Sequence, residues 1–202
     1  MIDSLLRHAR RCAQIGTWFG GSLIFLGAVV VSIDVVLRKL FALTLGGADE
    51  LSGYALAIGS AWAFAFALLE RVNVRVDALY QRFSPRIAGL FDLFALLALA
   101  LFVGMVTWFG FDVAWTSLVR GSLSNTQLTT PLWIPQGLWF LGMAFFFATL
   151  LLLIVRSAQA WFAADFEWMR RHVGARSIED DAAAESSYVD ASGLGGINPA
   201  QT

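Results

Sequence analysis

Residues 51–69 read LSGYALAIGSAWAFAFALL, nineteen positions without Asp, Glu, Lys, Arg or His. A helix of that length rises about 28 Å at 1.5 Å per residue, close to the roughly 30 Å hydrocarbon core of a bilayer. Three further stretches share this character: residues 15–37 with only Asp34, residues 87–111 with only Asp92, and residues 132–155 with no charge. Lipid offers backbone N–H and C=O groups no partner, and a barrel strand would be half as long and alternating. All four stretches are therefore expected as helices.

The composition agrees. Of 202 residues 58% are hydrophobic and 14% charged, whereas a soluble domain has roughly 45–50% apolar and about 25% charged residues. A mean hydropathy of +0.68 is too high for a water-soluble domain that must cover itself with polar surface. The expected class is an all-α integral membrane protein. A net charge of −1 lacks the basic field of a nucleic-acid binder. Cys12 is the single cysteine, and His8 and His172 both lie outside the apolar stretches. A disulfide, a dithiol centre and a haem held by paired histidines are thereby excluded. With no Gly-rich phosphate loop, no His-Glu-x-x-His and no Ser/His/Asp grouping, neither an enzyme nor a cofactor is expected.

Orientation follows from the cations. Arg7, Arg10 and Arg11 precede the first span, Arg71, Arg75, Arg82 and Arg86 lie between the second and third, and Arg156, Arg170, Arg171 and Arg176 follow the fourth. Only Arg38, Lys39 and Arg120 fall on the other side. The positive-inside rule puts both termini in the cytoplasm. The first span is read as a retained signal anchor, being too long for a signal-peptide core and lacking a small-residue cleavage site. Ser84-Pro85 and Thr130-Pro131 are expected to start the third and fourth helices, and Gly46-Gly47 to break the chain before the second. Residues 1–14 and 156–173 keep an apolar helical period beside arginines and tryptophans, as interfacial helices do. Residues 174–202 read as a disordered acidic tail.

Packing signals concentrate in the second span. Gly53, Ala57, Ala61 and Ala65 form one stripe at four-residue spacing, and Ala55, Gly59, Ala63 and Ala67 form another roughly opposite. Small residues let helices approach closely in lipid. Two such faces point to neighbours on both sides, one in the chain's own bundle and one in another protein, with Gly53, Ala57, Gly59, Ala61, Ala63 and Ala65 as candidate contact positions. Gly16-x-x-x-Gly20 is a second candidate for close packing. Asp34 and Arg38, four residues apart, are expected to pair along one helix face near the outer boundary. Asp92 is expected to reach headgroup water or a cation of the preceding loop. In the loop from Glu70 to Arg86, alternating Val72, Val74 and Val76 with Leu79 and Phe83 suggest an interfacial segment. Its arginines, Arg71, Arg75, Arg82 and Arg86, would then meet lipid phosphates or acidic groups of a partner.

The stretch from Ala48-Asp49-Glu50-Leu51 to Glu70-Arg71-Val72-Asn73-Val74-Arg75-Val76-Asp77, then Phe83-Ser84-Pro85-Arg86, resembles the small, DctQ-like membrane subunit of tripartite ATP-independent periplasmic (TRAP) transporters. Arg38 at the end of the first span and Thr126-Gln127-Leu128-Thr129-Thr130-Pro131-Leu132-Trp133-Ile134-Pro135 are similar to family features as well. The chain departs from the usual pattern at Gly47, Gly53 and Asn73. The resemblance covers about residues 15–155 and adds Arg38 and Glu50 to the candidate lipid or partner contacts. It implies a bacterial inner-membrane scaffold that holds no substrate itself. A periplasmic binding protein would capture an organic acid, usually a carboxylate, for import with sodium ions. The importer would be a large membrane subunit of about twelve spans, each again a helix of roughly 20 residues. The competing reading is a self-contained, homo-oligomeric four-helix channel or exporter. It calls for a polar stripe converging on a shared axis, and only Asp34, Asp92 and scattered Ser/Thr are available.

Overall fold

A computed structural model of the chain describes residues 2–71 and 84–173 together with residue 186; for residues 85, 170 and 171 only the backbone is described. Among the described residues five helices follow in order: α1 (Ile2–Phe41), α2 (Ala48–Leu69), α3 (Pro85–Arg120), α4 (Trp133–Phe162) and a short α5 (Phe166–His172). The first four are long and apolar enough to cross a membrane. Among the described residues the only β pairing is an isolated bridge between Leu123 and Pro131.

Each helix is set by backbone bonding rather than by the edges of its apolar run. α1 continues without a break across the junction of residues 14 and 15 and, at 40 residues, is about 60 Å long. Arg7, Arg10 and Arg11 change the polarity of its surface, but the buried stripe Ala9, Ala13, Gly16, Gly20 and Gly27 runs through the junction. α3 starts where the sequence indicates: Ser84 is the N-cap residue and Pro85 the first helical position. Its carbonyl accepts from Ile87 N and Ala88 N, both at 3.0 Å, and its hydroxyl makes no cap hydrogen bond. α3 ends at Gly121, whose φ of 62° is the left-handed conformation glycine adopts without a Cβ clash.

The start of α4 differs from expectation. Thr130-Pro131 does not open the helix, which begins at Trp133 after Leu132 as N-cap. Ser124 N donates to Thr130 O at 2.9 Å and Leu132 N to Ser122 O at 3.0 Å. This short antiparallel pairing keeps Pro131 extended and delays the helix. At its other end α4 runs on to Phe162, beyond the apolar stretch, and the chain turns at residues 163–165. Asp165 then caps α5 by accepting from Trp168 N at 3.1 Å.

The helices touch in the sequence α1 to α2, α2 to α4 and α4 to α3, with a smaller contact between α1 and α4. α2 and α4 are thus the inner pair and α1 and α3 the flanks. The core lies where α2, α3 and α4 meet, around Ala65, Leu68, Leu96, Val103, Phe146, Leu150 and Leu153. Large apolar side chains stay exposed on both flanks, among them Trp18 and Phe25 on α1 and Phe94, Leu101 and Trp108 on α3, as a lipid environment permits.

Candidate functional site

The chain is tied at both ends of its helices. At the end that carries the N-terminus, Arg10 Nε donates to Glu70 Oε1 at 2.8 Å, joining α1 to the end of α2. Arg156 Nε donates to Asp3 Oδ1 at 2.8 Å while its guanidinium lies 4.2 Å from the centre of the Trp168 ring. Trp161 Nε1 donates to Arg86 O at 3.3 Å, so the start of α3 meets the end of α4. Of the predicted basic contacts here, Arg71 sits just past α2 with a φ of 55° and Arg86 is exposed on α3. Arg75 and Arg82, with the rest of the 72–83 segment, lie outside the described residues, as do residues 174–185 and 187–202 of the tail.

At the opposite end a denser polar latch forms. Asp34, only 1% exposed, pairs with Arg38 as the i, i+4 spacing predicts. Its other oxygen accepts from Thr44 Oγ1 at 2.9 Å and from Leu45 N at 2.6 Å, so one carboxylate fastens the α1–α2 loop to α1. Glu50 accepts from Tyr54 OH at 2.6 Å and from the hydroxyl of Thr126, crossing to the α3–α4 loop. Gly46 and Gly47 lie directly beneath this loop. A Cβ on Gly46, whose φ is +69°, would meet Gln127 Oε1 at 1.9 Å, and one on Gly47 would meet Leu128 Cδ1 at 2.3 Å. Gly46 is thus favoured by its left-handed turn conformation, and both glycines leave room for the Gln127 and Leu128 side chains. Arg38 and Glu50 are both engaged within the chain. Asp92, expected to reach headgroup water or a cation of the preceding loop, is buried at 3% exposure and makes an interaction within the chain.

The small residues of α2 meet two neighbours, and both belong to this chain. Gly59 and Ala55 face α1: a Cβ on Gly20 would come within 2.4 Å of Gly59 O, and one on Gly27 within 3.0 Å of Ala55 Cβ. Ala61 faces α4, lying 3.1 Å from a Cβ placed on Gly142. Ala61 and Ala65 are fully buried, Ala63 is half-buried, and Gly53 and Ala57 are exposed. Nothing lies within 4 Å of a Cβ on Gly53. Gly16-x-x-x-Gly20 is a backbone contact, with Gly16 on Trp62 and Gly20 on Gly59. The cross-chain role of Thr126 and Gln127 had no signal in helical periodicity, since they lie in a loop; the polar Thr126-Gln127 beside Gly46-Gly47 was the available hint. Among the described residues no group of His, Cys, Asp and Glu could hold a metal ion.

A family profile described as tripartite ATP-independent periplasmic transporters, DctQ component, matches residues 27–160. The chain belongs to the DctQ family. No curated protein and no solved structure matches it. As a DctQ subunit it is a TRAP transporter component of the inner membrane that works with other subunits of that system, and it is not an enzyme. The matched region runs from the middle of α1 into the last turn of α4. It takes in both the latch and the α2 crossings, while residues 2–26 of α1 lie outside it.

Proposed function

We propose that this DctQ subunit is a rigid brace for the large membrane subunit of a sodium-driven importer. In this reading the imported solute is an organic acid, a carboxylate, delivered by a periplasmic binding protein, and both termini of the subunit face the cytoplasm. The observation that carries the proposal is that the buried and half-buried polar groups of the latch hold fixed partners within the chain. Asp34 is held by three donors, Glu50 by two hydroxyls, and Thr149 donates back to Phe145 O at 2.9 Å. A substrate path needs polar groups that change partners, whereas these fix one loop to another. The glycine contacts bring α1, α2 and α4 into close approach in the middle of the row.

In this reading the exposed apolar flanks of α1 and α3 face the large subunit and lipid, and Arg71, Arg75, Arg82 and Arg86 serve the cytoplasmic face by meeting anionic groups. Purified alone, the subunit is expected to bind no carboxylate in isothermal titration, and co-expressed with the large subunit it is expected to copurify at one to one. Saturable carboxylate binding by the isolated chain would overturn the brace reading and restore the channel.

A further inference from the structure

We infer that the N-terminal half of α1 carries a seat for one anionic phospholipid, its headgroup at Arg7, Arg11 and Gln14 and an acyl chain along Trp18, Gly21 and Phe25. These six residues follow one another at alternating steps of four and three, which puts them on a single face of the helix. At 100° per residue this face is opposite the buried stripe Ala9, Ala13, Gly16, Gly20 and Gly27 that seats α1 on the rest of the chain. All six are exposed.

Two cavities border successive parts of α1 that include these residues. The first, of about 410 Å³, is lined by Arg7, His8, Arg10, Arg11 and Gln14 of α1 and closed on one side by Phe66 and Glu70 at the end of α2. Glu70 is paired with Arg10. Among the described residues neither Arg7 nor Arg11 lies in an ion pair with a carboxylate, so the cavity keeps an excess of positive charge. The second, of about 630 Å³, begins one turn further on and runs from Thr17 to Leu26 past Trp18, Gly21 and Phe25. Nothing lies within 4 Å of a Cβ on Gly21, so the glycine forms an open notch between two large rings.

The dimensions fit a lipid. Ten helical residues rise about 14 Å, close to half of the roughly 30 Å hydrocarbon core and so to one leaflet. A basic patch one turn above an apolar trough is the complement of a phosphate joined to an acyl chain, and Trp18 stands at the border where tryptophan is favoured. An acidic helix of a protein partner would match the arginines but not the apolar trough past Trp18 and Phe25.

The test titrates the full chain in neutral detergent with palmitoyl-oleoyl phosphatidylglycerol or the matching phosphatidylcholine, reading the first bound lipid by native mass spectrometry. Each arginine–headgroup contact is worth roughly fivefold. The parent should prefer phosphatidylglycerol by roughly tenfold or more, and Arg7→Gln with Arg11→Gln should remove that preference. Gly21→Leu, which fills the notch without touching another helix, should weaken both lipids and keep the preference; unaltered thermal unfolding of this variant checks the fold. Arg120→Gln, an exposed arginine at the other end, should change nothing. The seat is overturned by an absent preference in the parent, by a preference that survives the double arginine change, by unchanged binding in Gly21→Leu, or by an equal loss in Arg120→Gln. If the double change leaves lipid binding intact but releases the large subunit, the face belongs to a protein partner instead.

Discussion

The α1/α2 pair and the α3/α4 pair join apolar helices by opposite means. α1 and α2 meet backbone to backbone, with Gly20 and Gly59 so close that a Cβ on either would fall within 2.6 Å of the other's carbonyl oxygen. α3 and α4 meet through large side chains, with Leu96 and Val103 against Phe146, Leu150 and Leu153, and with the Trp139 and Phe147 rings over Gly110 and Gly104. In lipid no hydrophobic force drives helices together, so each pair must gain its contacts by fit. One pair removes side chains to bring the two backbones within reach, and the other interlocks them. A backbone contact has nothing that can rotate aside, whereas a ring over a glycine has somewhere to go.

The sharpest way to break this contrast is Gly20→Ala. The added methyl meets Gly59 O at 2.4 Å and Gly59 Cα at 2.9 Å, so the helices must separate, and a loss of about 2–3 kcal/mol is expected in reversible SDS unfolding followed by circular dichroism. Gly21→Ala, one residue along and facing open space, should stay within about 0.5 kcal/mol of the parent. Equal losses for the two variants would refute the glycine crossing.

Gly110→Ala tests the other pair. The new methyl would lie 2.4 Å from Trp139 Cζ3, but that ring borders an open groove of about 420 Å³ lined also by Phe102, Met105 and Phe109. The indole can swing toward the groove, so the cost should be about 1 kcal/mol, the size of an off-rotamer side chain, accompanied by a change in near-UV circular dichroism. A loss as large as that of Gly20→Ala would mean that Trp139 is as immovable as backbone.

The smallest effect is expected from Arg10→Gln. Arg10 is 59% exposed in its pair with Glu70, and such pairs contribute about 0.2–1 kcal/mol, less as salt rises. The same unfolding assay at low and high ionic strength measures it. A loss above about 1.5 kcal/mol would transfer the joining of α1 and α2 from the glycines to this ion pair.

The sequence read alone was strongest where the outcome depends on neighbours along the chain. The four membrane-length helices follow from uninterrupted apolar runs, because in lipid a backbone can satisfy itself only within its own helix. Asp34 and Arg38 pair because four residues make one turn. The start of α3 follows from Ser84-Pro85, whose fixed φ suits a first helical position. The start of α4 was misjudged at Thr130-Pro131 because a bridge to Leu123, invisible to local propensity, holds that proline extended.

Tertiary structure alone decided what each face meets. The alternating glycines and alanines of α2 announce close approach, but close approach carries no address. A small residue fits a helix of the same chain as well as one of another, and here Gly59 turns to α1 and Ala61 to α4. The same holds for Glu50, whose charge at a helix start is explained locally by the helix dipole yet whose partner Thr126 lies 76 residues away in another loop. Local sequence determines whether a helix exists and which of its faces are smooth, because those depend on bonds and periods within one segment. Which smooth faces meet depends on the simultaneous fit of all four helices, and that is settled only when they are packed together.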